Sequence, residues 1–412
     1  MKEPPSSVKT AASELAHACY GRLIAMLASP NSDLADAEDS VAEAFLAALT
    51  HWPASGVPRN PEAWLYKVAR NRQLNRLQSA ARRTSALIDR FAAILETEEA
   101  LDFETIPDRR LALMFLCAHP AINATIRTPL MLQTVLGCEA GQIAKAFAIP
   151  KMTMSQRLVR AKRRIKAARI PFVIPERTVM AERLPFVLEA IYGAYAIDWD
   201  GISGPSIRES LAAEALHLAS MLASLLPREP EVLGLAALIC LSLARAGSRT
   251  GSEGGFVPLD RQDVSSWDRV LIQQGEAYLH RAFDAGRPGR FQIEAAIQSN
   301  HCARIHSAET DWSALEKLQT ELVRIAPTLG ARVALASIVA ETKGLETGLQ
   351  VLDAIEDWSI ERFQPAWATR AHLLDSLRRT AQAERAYEKA ISLTTDLATR
   401  SYLTDRLQRL KR

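Results

Sequence analysis

The sequence predicts an all-α protein, and three observations support that fold class. Apolar residues recur at helical spacing in nearly every long segment of the chain. The alternation with a period of two that half-buried strands show is absent. Breaks rich in glycine, proline and small polar residues, such as 246–255 and 286–289, separate segments of helix length. A chain of 412 residues is therefore expected to form several helical domains.

Charge is distributed unevenly along the chain. Residues 1–175 contain 23 Lys and Arg against 16 Asp and Glu, whereas residues 176–412 contain 27 against 31. A basic segment attracts polyanions through the summed field of its side chains. Nucleic acid, if it is bound, is therefore expected on the first part of the chain.

Composition and spacing exclude several classes of protein. The five cysteines are scattered without a Cys-x-x-Cys pair, which is typical of reduced thiols in a cytoplasm. No apolar run of about 18 residues and no signal-peptide core occur, so we expect a cytoplasmic protein without a membrane partner. No phosphate loop, dinucleotide fingerprint or zinc-protease spacing occurs. We expect no catalytic residue, metal or cofactor.

The helical segment 33–52 carries an acidic face. Asp36, Asp39 and Glu43 lie at helical spacing away from its apolar stripe, with Glu38 beside them. Such a face is usually only solvated, but it also suits docking onto a basic protein surface.

The next helical segment, 60–83, has the opposite sign. Asn60 and Pro61 are typical of a helix start, and no acid occurs between Ala63 and Ile88. Aromatic side chains interleaved with basic and amide side chains suit unstacked single strands, where bases stack and phosphates are neutralised. Trp64 and Leu65 are equally compatible with an ordinary core.

Residues 139–168 predict a helix-turn-helix. Residues 142–147 form a short helix, 148–150 a tight connection and 151–168 a second helix. Ala144 is the small residue that lets the second helix cross the first, Ala148 is the small residue at the turn, and Ile149 tucks inward. An acidic linker, 89–108, precedes this unit.

The second helix of this motif is strongly basic. It contains eight Lys and Arg between 151 and 169 and no acid. Because a helix-turn-helix places this helix in the major groove, we expect it to bind DNA. Base reading is expected from its first turns and backbone contacts from its later residues. The predicted DNA-binding residues are Thr153, Ser155, Gln156, Arg157, Arg160, Lys162, Arg163 and Lys166.

The last third of the chain shows helices in pairs of about 34 residues, the length of tetratricopeptide units. The pairs are 289–325, 329–357 and 363–394, with a polar-faced cap at 398–411. Ala383 and Ala390, with Tyr387 between them, recur where one helix must approach its partner closely. An irregular helical bundle is the alternative. His301 and His306 are placed in one helix but on different faces, which favours a structural role.

The order of these elements resembles the extracytoplasmic-function sigma factors. The segments that carry the resemblance are 37–45, 61–71 and the helix-turn-helix at 149–163. The subgroup with a tetratricopeptide-like extension is indicated by 117–121, 155–162, 260–263, 267–268, 292–297 and 311–312. The fold class is then two small helical sigma domains, the second with the helix-turn-helix, followed by a helical-repeat domain.

The resemblance implies a role for each part. Residues 1–88 would bind core RNA polymerase and read the −10 element, 109–174 would read the −35 element, and 175–412 would be the extension. The implied polymerase-binding residues are Asp36, Glu38, Asp39 and Glu43. The implied −10-binding residues are Trp64, Arg70, Asn71, Arg72, Asn75 and Arg76. The partners would be core polymerase, promoter DNA and a target of the extension within the chain or in another protein.

The sequence departs from the family's pattern in three places. Asn75 stands where an aspartate is common, Ala42 stands where a glutamine is common, and 192–204 diverges from the subgroup. The first two bear on promoter and core affinity, and the third on any family role of that loop.

Two other functions stay open. One is a helix-turn-helix regulator whose repeat domain senses a ligand or partner, and the other is a repeat scaffold that neutralises a polyanion. The acidic segment beside the basic-aromatic segment favours a sigma factor, since a plain regulator needs neither. We expect the extension to act on the sigma domains by holding them in a productive arrangement rather than by masking DNA binding. A truncation after Ile174 tests this.

Overall fold

A computed structural model describes residues 15, 19–29, 33–81, 108–199, 205–249, 251, 255–307, 309–394 and 396–411. Among these residues all regular secondary structure is helical apart from an isolated β bridge at Phe256. The predicted all-α fold class is confirmed. Most of the predicted acidic linker, 89–107, lies outside the described residues. No helix in the described segments is long and apolar enough to cross a membrane.

The chain forms two compact units, and the first comprises residues 1–199 and 203–218. Its helices are α1 (19–28), α2 (Leu34–Ser55), α3 (Pro61–Ala81), α4 (Arg110–Cys117), α5 (Ala124–Thr134), α6 (Ala140–Ala146), α7 (Lys151–Ala167), α8 (Arg177–Trp199) and the first part of α9 (Pro205–Leu225).

Local signals explain where α2 and α3 begin and end. The Asp33 side chain accepts a hydrogen bond from the backbone N–H of Asp36, which caps the start of α2. Gly56 follows α2 with a φ of 80°, a left-handed conformation that glycine adopts without a steric penalty. The side chain of Asn60 accepts from the N–H of Ala63 at 3.0 Å, so the predicted helix start at Asn60 and Pro61 is found.

Helices α6 and α7 lie where the sequence predicts the two helices of a helix-turn-helix. Ala144 is buried in α6, and Ala148 connects the helices with a φ of 50°. A capping box between Glu139 and Gln142 closes the start of α6. Helix α7 buries an apolar stripe formed by Met154, Leu158, Ala161 and Ile165.

Helix α8 packs against α4 and α5, and α9 contacts α4. Arg183 of α8 donates to the carbonyl oxygen of Phe115 at 3.1 Å, and the Arg127 guanidinium lies 4.5 Å from the centre of the Phe186 ring. Arg110, which is 5% exposed, forms ion pairs with Asp108 and with Glu214 of α9. The first compact unit therefore extends to Leu218, beyond the boundary at 174 that the sequence suggested. The functional boundary stays a prediction.

The second unit comprises residues 200–202 and 219–412. Its helices after α9 are α10 (Pro230–Leu243), α11 (Arg269–Phe283), α12 (Arg290–Cys302), α13 (Arg304–Ser307), α14 (Trp312–Ile325), α15 (Leu329–Lys343), α16 (Leu345–Asp353), α17 (Gln364–Ser376), α18 (Thr380–Leu393) and α19 (Leu397–Leu410). Short 3-10 turns occur at Ala246–Arg249, Leu259–Arg261, Val264–Ser266 and Trp358–Arg362.

The helices of the second unit pack in sequential pairs. The predicted pairs 289–325, 329–357 and 363–394 contain α12 with α14, α15 with α16, and α17 with α18. Ala383 and Ala390 are fully buried, and Tyr387 donates to Asp375 at 3.1 Å. One local expectation is wrong: His301 and His306 do not share a helix, because α12 ends at Cys302 and α13 begins at Arg304.

Candidate nucleic-acid interface

One face of α7 presents basic side chains to solvent. Gln156, Arg157, Arg160 and Arg163 are exposed, whereas Thr153 and Ser155, in the first turns, are half-buried. The apolar stripe of α7 fixes this orientation, because residues at helical spacing to Leu158 must face the core. The exposed face has the charge and the hydrogen-bond donors that contact phosphates and base edges.

The other flank of α7 is turned toward α2. Lys162 is 9% exposed, and its Nζ lies 2.5 Å from Oε2 of Glu38. One turn later, Nζ of Lys166 lies 2.6 Å from Oδ2 of Asp33. Two lysines that were predicted to contact the DNA backbone therefore pair with carboxylates of the acidic helix in this structure.

Glu38 lies in an unusual environment for a carboxylate. Its Oε1 is buried and has no hydrogen-bond partner within the described part of the chain. Burial raises the pKa of Glu38, and the negative charge of Asp39 adds to that increase, while Lys162 opposes it. The Lys162 ammonium is thus the group that stabilises the ionised form of Glu38.

The acidic face of α2 is also engaged by α3. Arg76 donates from Nε to Asp36 at 3.0 Å and from Nη1 to Glu43 at 2.8 Å, and it also bonds to Ser40. Gln73, which is buried, donates to Asp36 at 2.8 Å. These contacts join the two helices.

The four predicted polymerase-binding residues therefore differ in their surroundings. Asp36, Glu38 and Glu43 form ion pairs within the chain. Asp39 is exposed.

The predicted −10-binding residues separate into two groups. Trp64 is half-buried with its ring centre 5.5 Å from that of Trp52, and Arg70 donates to the hydroxyl of Tyr66 at 2.7 Å. A second group on α3 is exposed, comprising Asn71, Arg72 and Asn75. Nε of Arg72 lies 3.8 Å from the Glu43 carboxylate of α2, and Arg76 contacts Asp36 and Glu43 at shorter distances. Asn71, Arg72 and Asn75 are the exposed members of the predicted −10-binding set.

Sequence reasoning missed Asp33, Gln73 and Gly21 as parts of this region. Asp33 carried a capping signal, but nothing in the sequence linked it to Lys166. Gly21 carried no signal, although a methyl group at its Cβ position would overlap the carbonyl oxygen of Val135.

Comparison with known proteins gives three matches. Residues 15–83 match Sigma-70 region 2, and residues 183–283 match a family of unknown function (DUF6596). An uncharacterized protein of Rhizobium meliloti (strain 1021) is 34% identical over 386 residues, which cover 92% of this chain and 90% of that protein. No solved structure matches the chain.

The region 2 match covers the described helices α1 to α3, which carry the acidic and the basic-aromatic faces. This first segment of the chain is therefore similar to region 2 of the sigma-70 proteins. The chain as a whole belongs to the family of the Rhizobium protein, to which it is similar over nearly its whole length.

Proposed function

We propose that this protein is an alternative sigma factor of the extracytoplasmic-function type. It binds core RNA polymerase and directs initiation at specific promoters, and it performs no catalysis itself. One observation supports this most strongly. The region 2 match on α1 to α3 is followed in the same chain by the helix pair α6 and α7, and α7 exposes Arg157, Arg160 and Arg163.

Each surface then has a role in promoter binding. The exposed face of α7 would hold the −35 duplex, with Gln156 and Arg157 bonding base edges and Arg160 and Arg163 neutralising phosphates. Asn71, Arg72 and Asn75 would contact unstacked bases of the −10 element, where unstacking costs a few kcal/mol that a binding pocket offsets. Asp39 is the most accessible acid for the polymerase surface.

The second unit would be a tetratricopeptide-like extension. Its sequential helix pairs and the small residues at their contacts support this assignment. We propose that the extension holds the sigma domains in a productive arrangement, by contacts within the chain or through another protein.

Transcription with purified components tests the function. The chain is mixed with core polymerase and a genomic promoter library, and start sites are mapped by sequencing the transcripts. Initiation at a common −35 and −10 pattern is expected only when the chain is present. A chain that binds DNA but leaves core polymerase without promoter preference would be a helix-turn-helix regulator instead.

Charge reversal tests the polymerase contact separately. Asp39→Lys should abolish co-purification with core polymerase, because Asp39 is exposed and its loss breaks no ion pair described above. Asp284→Lys, at another exposed acid, is the matched control and should co-purify as the wild type does. Equal recovery of polymerase with both variants would contradict the assignment of the acidic face.

A further inference from the structure

A cavity of about 420 Å³ opens on the second unit, between α15, α16 and the segment that follows α16. Its volume lies within the range of roughly 300–1,000 Å³ that is typical of pockets for small molecules. The residues that line it are Arg332, Leu335, Val351, Ala354, Ile355 and Glu356. None of them belongs to the surfaces that we assign to promoter or polymerase binding, so the cavity is a separate candidate site.

The apolar part of this lining is held in place by the packing of the helices. Leu335, Val351 and Ile355 are half-buried, so each keeps some apolar surface in contact with water. Val351 and Ile355 also pack against the buried cluster that contains Val333 and Leu352. An apolar group that enters the cavity would therefore meet side chains that are already ordered, and its burial would stabilise the complex.

Two side chains of opposite charge share the lining with these apolar residues. Arg332 is half-buried and Glu356 is exposed. Within the described part of the chain, neither side chain forms an ion pair or a hydrogen bond, so they do not pair with each other. The neighbouring Asp357 accepts two hydrogen bonds from Ser359, which lower its pKa, and the positive charge of Arg332 adds to that effect. The guanidinium thus acts on this segment without being bound to a carboxylate.

These two charges select the chemistry of the ligand. A guanidinium binds a carboxylate through two parallel hydrogen bonds, and a carboxylate accepts hydrogen bonds from an ammonium group. A ligand with only a negative charge would be repelled by Glu356 and Asp357, and one with only a positive charge would be repelled by Arg332. A ligand that carries both groups and an apolar side chain satisfies the whole lining.

We propose that this cavity, which we call the Arg332 cleft, binds a free α-amino acid with an apolar side chain. The ligand's carboxylate pairs with Arg332, its ammonium group pairs with Glu356, and its side chain covers Leu335 and Val351. The second unit then has a small-molecule site of its own, beyond its proposed role in arranging the sigma domains.

Isothermal titration calorimetry on the full chain at neutral pH tests the proposal, with L-leucine and L-phenylalanine as the probes. Saturable binding of one molecule per chain is expected for at least one of them. N-acetyl-L-leucine lacks the ammonium group and L-leucinamide lacks the carboxylate, so each should bind at least about tenfold more weakly than L-leucine, which corresponds to about 1.4 kcal/mol.

Charge-removing variants locate the binding in the cleft. Arg332→Gln and Glu356→Gln should each weaken binding of the amino acid at least about tenfold. Arg385→Gln is the control for the arginine, since Arg385 is exposed on α18. Glu341→Gln is the control for the glutamate, since Glu341 is exposed on the opposite face of α15. Both controls should bind as the wild type does.

A third variant blocks the cleft without changing charge. Ala354 is exposed on the lining, so Ala354→Phe should fill the cavity and abolish binding while circular dichroism shows the wild-type helix content. The proposal is overturned if neither amino acid binds saturably or if N-acetyl-L-leucine binds as tightly as L-leucine. It is also overturned if Arg332→Gln and Ala354→Phe leave the affinity unchanged, because the ligand would then occupy another site.

Discussion

Two kinds of arginine occur in the candidate nucleic-acid interface, and their surroundings determine what each contributes. Arg76 bridges Asp36 and Glu43 and holds α3 against α2, so its loss would damage the fold. Arg157 and Arg163 are exposed on α7, so their loss should affect binding alone. Exposure therefore distinguishes candidate binding residues from structural ones where the sequence shows only a charge.

Arg157→Ala should relax promoter specificity. Because Arg157 lies in the second turn of α7, it is placed to bond a base edge, and its loss should cost about 1–3 kcal/mol at one base position. Arg163→Ala should instead weaken all sequences alike, as loss of a phosphate contact does. Binding of both variants to a randomised −35 library provides the measurement. A uniform loss in both would show that Arg157 does not read bases.

His301 should make stability depend on pH. Burial lowers the pKa of His301 to about 4, and the charges of Arg245 and Arg304 add to that effect. The unfolded chain binds a proton near pH 6.5 while the folded chain does not, so stability is fully present above pH 6.5 and is lost as the pH falls toward 4. The loss is up to about 3 kcal/mol.

The measurement is the free energy of unfolding by denaturant between these pH values. His301→Leu should remove this part of the pH dependence, whereas the exposed His306→Leu should retain it. Identical pH profiles for the wild type and both variants would mean that His301 is protonated as easily as a solvated histidine.

At the scale of single elements, helix pairs in the second unit depend on small residues at their contacts. A methyl group at Gly348 would lie 2.7 Å from the carbonyl oxygen of Ala336 and would overlap the Ala340 side chain. Helices α15 and α16 thus approach more closely than any larger residue allows. Their packing sets the geometry of the pair.

Gly348→Ala should lower the free energy of unfolding by about 1–3 kcal/mol, because the backbone of α15 must move to accept the methyl group. Gly247→Ala is the matched control, since nothing lies within 4 Å of its Cβ position. That control should change stability by about 0.5 kcal/mol or less. Equal midpoints of thermal unfolding for the two variants would contradict the close packing of α15 and α16.

The helices were predictable from sequence because their signals are local. The predicted segments at 329–357 and 363–394 contain α15 to α18, and Asn60 and Pro61 begin α3 as expected. The partners of the charged side chains were not predictable. Lys162 and Glu38 lie 124 residues apart, and each has the sequence signature of a solvated charge. Only packing of α2 on α7 reveals that they are buried together.

At the scale of the whole molecule, the first unit includes helices that sequence reasoning assigned to the extension. The side chain of Leu132 on α5 is buried, and α8 approaches it at Gly193. Arg110 forms a second ion pair, with the carboxylate of Glu214 on α9. A cut after Ile174 therefore removes part of a folded unit, and loss of activity in such a fragment would report on folding rather than on regulation by the extension.

A fragment ending at Leu225 should behave differently from one ending at Ile174. The longer fragment keeps α8 and α9, so it should unfold cooperatively and bind DNA. The shorter one exposes Leu132 and leaves Arg110 paired with Asp108 alone, so it should unfold at lower temperature and bind DNA more weakly. Thermal unfolding by circular dichroism and a DNA titration of both fragments are the measurements. Equal stability of the two fragments would place α8 and α9 outside the folding unit that contains α6 and α7.

A point substitution in the full chain tests the same coupling without a cut. Glu214→Gln should destabilise the first unit, because Arg110 is buried and loses one of the two carboxylates that compensate its charge. Removing one partner of a buried ion pair costs up to about 3–5 kcal/mol, and the second carboxylate on Arg110 should keep the loss below that. Glu176→Gln, at an exposed glutamate just before α8, is the control and should leave the unfolding temperature unchanged. If Glu214→Gln also left it unchanged, the ion pair to α9 would contribute nothing to the stability of the first unit.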